Sequence, residues 1–231
     1  MASRTCTSVA TRLVSDRDPV LPGFVASAWT PTHVPALAAA DLPPELMGAA
    51  AKRQREFLAG RASASAALAQ LGIHSVGVGI AAGGAPVWPP GIVGSISHTN
   101  GLAWAAVARE RDAAGVGIDA EPVMADDRAA RIAPRLATAG ELARAAAQSG
   151  FDRAAALTLL FSAKEAFYKC LYPEVRRAFD YLDVRVDSVE IDRGRITLVL
   201  AATLTNTWRT GATLDGGFDV RDGLVRVAFV R

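Results

Sequence analysis

The stretch Gly115-Val-Gly-Ile-Asp119-Ala-Glu121-Pro122 runs an apolar segment directly into two carboxylates separated by one residue. On an extended backbone residues i and i+2 share a face, so Asp119 and Glu121 stand side by side at a strand end. Two oxygen donors so placed make half a shell for Mg²⁺, which takes one or two carboxylates and completes its octahedron with water and phosphate oxygens. A strand that simply ends in solvated acids has the same spacing, and the D-x-E pattern alone does not separate the two readings.

A second cluster lies in Phe161-Ser-Ala-Lys164-Glu165-Ala-Phe167-Tyr168-Lys169, on a helical pattern whose Leu157, Leu160, Phe161 and Leu171 form an apolar stripe. Glu165 and Lys169 are i, i+4 neighbours. They read either as an exposed ion pair, contributing about 0.3 to 0.5 kcal/mol, or as a further carboxylate for a metal beside a cation for a phosphate. Gly94-Ser-Ile-Ser97-His98-Thr-Asn-Gly101 reads as a small polar turn. Its hydroxyls, backbone N–H groups and imidazole suit a phosphate, although a hydrogen-bonded surface histidine fits as well. A nucleophilic serine with His98 as base lacks the G-x-S-x-G elbow. Arg53, Phe57 and Arg61 recur at i, i+4 and i+8, beside the face that carries Ala64 and Leu68. Arginines on an apolar edge need partners, either internal ion pairs or a phosphate matched to the guanidinium fork.

These residues need elements to position them. Pro43-Pro44 and Gly72 bracket a helix over 45–71. A strand is expected at 76–80, a Gly/Pro/Trp loop over 83–94, and strands at 102–108 and 116–118. The pattern over 126–148 is helical but interrupted by Pro134, with an end near Gly150; a further helix spans 152–171 and stops before Pro173. Strands follow at 184–191, 196–201 and 217–230, the last split by Asp222-Gly223 as a type I′ hairpin. The expected class is α+β, or two-lobed α/β, with a seam at 109–114 dividing halves 1–112 and 113–231.

The chain has 231 residues, 51% of them hydrophobic, with a formal net charge of +2. That balance describes a folded globule without the bulk charge of a nucleic-acid coat. Two cysteines and three histidines provide neither a disulfide framework nor zinc spacing. Met1 to Val14 lacks the apolar core of a signal peptide and no apolar run is long enough to span a bilayer, so a reducing, cytoplasmic setting is expected, without membrane or nucleic acid.

In this order, "REFLAGR" (Arg55 to Arg61), "WPPGIVGSISH" (Trp88 to His98), "GIDAE" (Gly117 to Glu121) and "FSAKEAFYK" (Phe161 to Lys169) resemble the 4′-phosphopantetheinyl transferases. The likeness is to the branch that activates siderophore, non-ribosomal peptide and polyketide synthases. The resemblance implies a pseudo-twofold pair of α/β halves with coenzyme A between them. It also implies transfer of the phosphopantetheine arm of coenzyme A to a serine of an apo acyl or peptidyl carrier protein, with release of adenosine 3′,5′-bisphosphate. By the same resemblance Asp119, Glu121 and Glu165 hold Mg²⁺, Glu165 is the base for the serine, and Lys169 binds phosphate. Arg53 and Arg61 match positions for the 3′-phosphate, and Ser97 and His98 match the phosphate-contacting turn. The loop Gly83-Gly84-Ala85-Pro86 departs from many relatives, which carry a Lys or Arg there, and Ala120 offers no side-chain ligand. A site complete within one chain implies a monomer. Arg128, Arg131, Arg135 and Arg144 are candidates for an acidic carrier helix. Two other readings remain: an idle coenzyme A-binding module, and a Mg²⁺-dependent phosphohydrolase.

Overall fold

The structure, a computed structural model, describes residues 18–33, 42–74, 76–81, 83–99 and 101–231. Met1 to Val14, Cys6 and Asn100 lie outside the described residues. Among the described residues ten strands and four α-helices form an α+β fold. In chain order these are β1 (Ala26–Pro31), α1 (Ala51–Gln70), β2 (Gly79–Ile80), β3 (Pro86–Val87), β4 (Ile92–Thr99), β5 (Leu102–Arg109) and β6 (Val116–Pro122). Then come α2 (Asp126–Leu136), α3 (Ala139–Ser149), α4 (Arg153–Val175), β7 (Val184–Glu190), β8 (Arg195–Leu200), β9 (Thr213–Arg221) and β10 (Leu224–Val230).

The strands form a three-stranded sheet β1-β5-β4, a five-stranded sheet β6-β10-β9-β8-β7, and a small β2-β3 ribbon. In both larger sheets the first strand pairs antiparallel with the last, and the order then runs backwards. Each sheet also carries one long helix: α1 packs on β1 and β5, and α4 on β6 and β10. Shared order and shared helix placement give the pseudo-twofold character. α4 is buried on several sides because α2 and α3 cover the face turned away from the sheet. That is why Leu157, Leu159, Leu160, Ala163, Ala166, Phe167 and Leu171 are all buried and no narrow amphipathic stripe remains. Trp104 on the middle strand of the smaller sheet is fully buried, packs with Ile118 and Ala228 of the larger sheet, and stacks on Trp29 with ring centroids 5.0 Å apart.

Several local expectations need correction. The helix expected over 45–71 is divided into a 3₁₀ turn, Pro44–Leu46, and α1. Gln54 Nε2 donates to the carbonyls of Leu46 and Met47 at 2.9 Å each, satisfying acceptors that an unbroken helix would have paired internally. Gly94 to Thr99 is strand, part of β4, where a turn was expected; the turn lies beyond it, between Thr99 and Leu102, where β4 and β5 pair. The strand expected over 76–80 shortens to Gly79–Ile80. α4 continues through Pro173 to Val175, because a proline in the last turn forfeits a single internal bond, and it ends at Arg176 in the left-handed region with φ 51°. β1 was not anticipated: it alternates buried and half-buried residues but is short and proline-ended. The Asp222-Gly223 turn has both residues at positive φ, 51° and 72°, as a type I′ hairpin requires.

One contact between the sheets bears directly on function. β6 pairs with β10 along one edge, while its other edge faces β4 through side chains. The Ile118 N–H donates to Ser95 Oγ at 3.2 Å and the Ala120 N–H to Ser97 Oγ at 3.3 Å. Serine hydroxyls thus satisfy backbone donors that a neighbouring strand would otherwise take. Behind β6, α4 approaches so closely that a Cβ at Gly117 would lie 1.9 Å from the Ala166 carbonyl oxygen. Glycine is required there by contact distance, and the close approach sets Asp119 against the α4 side chains.

Candidate active site

A cavity of about 910 Å³ opens where β4, β6, α1 and α4 meet. It lies within the size range of small-molecule sites. Every position proposed from sequence for coenzyme A or the metal lines it: Arg53, Arg61, Ser97, His98, Asp119, Glu121, Glu165 and Lys169.

On one wall, Asp119 is 4% exposed and extensively engaged. Its Oδ1 accepts from Lys169 Nζ at 2.7 Å and from Ser97 Oγ at 2.9 Å, while Oδ2 is buried without a hydrogen-bond partner among the described residues. Lys169 Nζ also donates to the Ile118 carbonyl at 3.1 Å. Ser97 is therefore not an open hydroxyl in a turn: it accepts from Ala120 and donates to Asp119, fixing the carboxylate from the neighbouring sheet. Glu121 is pushed up to about 7 by burial, and next by the negative charge of Asp119, with Arg128 and Lys169 opposing. Glu165 Oε1 accepts a hydrogen bond from the Tyr181 hydroxyl. Burial, and then that bond to Glu165, raise the phenol's pKa.

The i, i+4 pair expected between Glu165 and Lys169 is absent among the described ion pairs, since Lys169 turns to Asp119 and Glu165 to Tyr181. For the same reason no three His, Cys, Asp or Glu side chains among the described residues stand close enough to hold a metal ion as they are arranged. The three carboxylates share the cavity wall; Asp119 is bound by Lys169 and Ser97, and Glu165 by Tyr181. Their chemistry nevertheless fits a divalent cation: an unpartnered buried Asp119 oxygen and a Glu121 carboxyl held partly protonated are both relieved by positive charge.

The opposite wall is cationic. Arg61 lies with its guanidinium 4.5 Å above the Phe57 ring and donates from Nη2 to the Gly79 carbonyl at 2.9 Å. Its pKa is lowered by burial and then by Arg53, two turns away on α1. Neither arginine has an acidic partner among the described ion pairs, so the wall carries uncompensated positive charge toward the cavity. His98 is pushed down to about 4 by burial, and then by Arg53, so it is a neutral imidazole near pH 7. Gly60 makes room for it: a Cβ there would lie 2.7 Å from His98 Nε2.

The cavity also includes Trp88, Phe161, Tyr168, Tyr172 and Arg176, which motif matching did not single out as site residues. Arg176, the left-handed residue that ends α4, lines the same cavity and donates from Nε to the Pro173 carbonyl at 3.2 Å. It was missed because the helix was expected to stop before Pro173. The Gly83 to Pro86 loop lines the cavity without a cation, as the sequence indicated. Outside the cavity, Arg128, Arg131 and Arg135 are exposed on α2, with Arg131 paired to Asp127 at 2.8 Å; Arg144 reaches the Val186 carbonyl at 3.5 Å.

Residues 43–108 match the 4′-phosphopantetheinyl transferase N-terminal domain, and residues 115–221 match the 4′-phosphopantetheinyl transferase superfamily. The 4′-phosphopantetheinyl transferase PptT of Mycobacterium tuberculosis is 34% identical over 196 residues, covering 81% of this chain and 83% of that protein. The 4′-phosphopantetheinyl transferase Npt of Nocardia iowensis is 34% identical over 167 residues, 72% of each chain. Enterobactin synthase component D of Salmonella typhi is 37% identical over 147 residues, 64% of this chain, and the aligned part spans 56% of that relative's length. The chain belongs to the 4′-phosphopantetheinyl transferase superfamily. No helix among the described residues is long and apolar enough to cross a membrane.

Proposed function

We propose that this protein transfers the 4′-phosphopantetheine arm of coenzyme A to a serine of an apo acyl or peptidyl carrier protein, with Mg²⁺, releasing adenosine 3′,5′-bisphosphate. The observation that carries the reading is one cavity with unpaired arginines on one wall and Asp119, Glu121 and Glu165 on the other. Arg53 and Arg61 bind the 3′-phosphate end, with Arg176 supplying a further cation that the Gly83 to Pro86 loop lacks. His98 offers a neutral hydrogen-bonding group to the phosphates, and Ser97 holds Asp119 in place. Lys169 binds the pyrophosphate and tempers the charge of the carboxylates.

When bound by Asp119, Glu121 and Glu165, Mg²⁺ supplies charge stabilisation for the leaving bisphosphate. Glu165 accepts the proton of the carrier serine as its oxygen bonds to the β-phosphorus and the bridging P–O bond breaks. The roles divide between the halves: 1–112 holds the nucleotide side, and 113–231 the metal and catalytic side. Arg128, whose charge acts on Glu121, and Arg135, exposed on the same helix, suit an acidic helix of a siderophore, peptide or polyketide carrier. A monomer working in the cytoplasm fits a site built from one chain.

The test is intact-mass measurement of an apo carrier protein incubated with this protein, coenzyme A and Mg²⁺. The expected result is a gain of one phosphopantetheine, prevented by EDTA and reduced at least about 100-fold in rate by Asp119→Ala. Coenzyme A turnover without any carrier would replace the reading with a phosphohydrolase. Binding without transfer to any carrier class would replace it with an idle coenzyme A binder.

A further inference from the structure

Glu165 and Lys169 sit one helical turn apart, the spacing at which opposite charges on a helix pair. Here they do not. Glu165 Oε1 is held by the hydroxyl of Tyr181, a residue from the 3₁₀ turn Tyr181–Asp183 that follows α4. Among the described residues no hydrogen bond engages Glu165 Oε2.

The turn that carries Tyr181 is fixed from both ends. The Asp180 side chain accepts from the Leu182 N–H at 3.2 Å, and Asp183 Oδ2 accepts from the Asp180 N–H at 2.8 Å, a reciprocal capping arrangement. From beneath, Lys164 Nζ uses three donors: to the Tyr181 carbonyl at 3.0 Å, to the Leu136 carbonyl at 2.8 Å, and to Glu141 Oε1 at 3.0 Å. Lys164 and Glu141 side chains are each 1% exposed. A buried pair of this kind adds little net stability over an apolar replacement of equal shape. What it does is tie α2, α3, α4 and the Tyr181 turn to one point. The Tyr181 ring also packs against Phe161, with centroids 5.9 Å apart. With its backbone anchored and its ring packed, the hydroxyl has little freedom, and it is aimed at Glu165.

We propose that Tyr181 is a positioning residue for Glu165. Its hydroxyl holds Oε1, keeps the carboxylate from collapsing onto Lys169, and leaves Oε2 for the reaction while Lys169 stays on Asp119. This rests on the reading above, in which Glu165 acts on the carrier serine and the metal. The residue lies outside the helix motif that identifies the family, and its role follows from the contacts of this chain alone.

The experiment compares Tyr181→Phe, Glu165→Gln and the double variant in the full chain. Transfer kinetics are measured with an apo carrier, and Mn²⁺ affinity in the presence of coenzyme A is measured by electron paramagnetic resonance of the free ion. Phenylalanine keeps the ring packing, so unfolding is not expected. Tyr181→Phe is expected to lower kcat about tenfold, the scale of one lost hydrogen bond to a charged group. KM for coenzyme A should stay within about twofold, and Mn²⁺ affinity should fall. In the Glu165→Gln background Tyr181→Phe should add almost nothing, a non-additivity that general loosening of the fold would not produce. The positioning role is overturned if Tyr181→Phe leaves both kcat and Mn²⁺ affinity unchanged while Glu165→Gln damages them, or if the two losses add in full. Glu165→Gln with undiminished transfer and Mn²⁺ affinity is a separate outcome: it removes Glu165 from the machinery, and the positioning role with it.

Discussion

The two walls of the cavity are built differently. The wall from α1 and β4 contributes Arg53, Arg61 and His98 and no carboxylate; the wall from β6 and α4 contributes all three carboxylates, and each lies beside a cation or a hydroxyl. The arginines of the first wall have no acidic partner among the described residues, so their charge is free to meet an anion. On the carboxylate wall Asp119 is held by Lys169 and Ser97 and Glu165 by Tyr181, so these two groups are fixed in place before anything binds. Recognition by unpaired charge tolerates a mobile side chain, whereas phosphoryl transfer needs donors fixed to within fractions of an ångström. The packing follows that demand: Arg53 is exposed on its helix, while Asp119 is buried between two sheets and α4.

Breaking the fixed wall should have the largest effect. Gly117→Ala places a Cβ where the Ala166 carbonyl oxygen stands, so β6 must move off α4. A loss of about 3 kcal/mol or more in stability is expected, together with loss of transfer, measured by denaturant unfolding and by carrier modification.

A smaller effect is expected from the neutral histidine on the cationic wall. Burial lowers the folded-state value of His98 to about 4, below its ordinary 6.5, so the unfolded chain binds the proton more readily. Its unprotonated state therefore costs nothing above about pH 6.5, and stability is lost as pH falls from there toward 4, by on the order of 2 kcal/mol. His98→Gln should flatten that part of the stability profile, and the imidazole resonance should remain unprotonated at pH 5.

The smallest effects sharpen the contrast within the cationic set. Arg61→Ala should raise KM for coenzyme A about tenfold and for 3′-dephospho-coenzyme A much less, whereas Arg176→Ala should raise KM only about twofold, kcat being nearly unchanged in both. Equal losses with both substrates for Arg61→Ala would make that arginine a structural clamp on the Gly79 carbonyl.

Much of this arrangement was legible in the sequence, and the parts that were not share a cause. Strand and helix spacing shows which of Asp119, Glu121, Glu165, Lys169, Arg53 and Arg61 share a face, but it left solvated or ion-paired readings open, and the family resemblance selected them as site residues. The Asp222-Gly223 hairpin is legible from its turn residues. Ser97 was misread because a run of small polar residues looks like a turn; it forms a strand because its hydroxyls bond across to β6, a partner that no local window contains. Tyr181 was invisible because its role depends on Lys164 anchoring a turn that lies beyond the helix. Arg176 was hidden by Pro173, where the local rule for a helix stop gave way to the geometry of a last turn. What stayed unread was long-range contact.

The pairing of first strand with last carries a consequence for how the protein is made. Asp119 faces Val227 across β6 and β10, so the strand that holds two of the three carboxylates has no backbone partner until β10 has been synthesised and has returned across the whole C-terminal half. Closing so long a loop is entropically slow, and a strand waiting with an open edge is exposed to mispairing. On the ribosome the arginine wall can therefore form early, while the carboxylate strand must wait, and a chain shortened before β10 would leave that strand without its ladder.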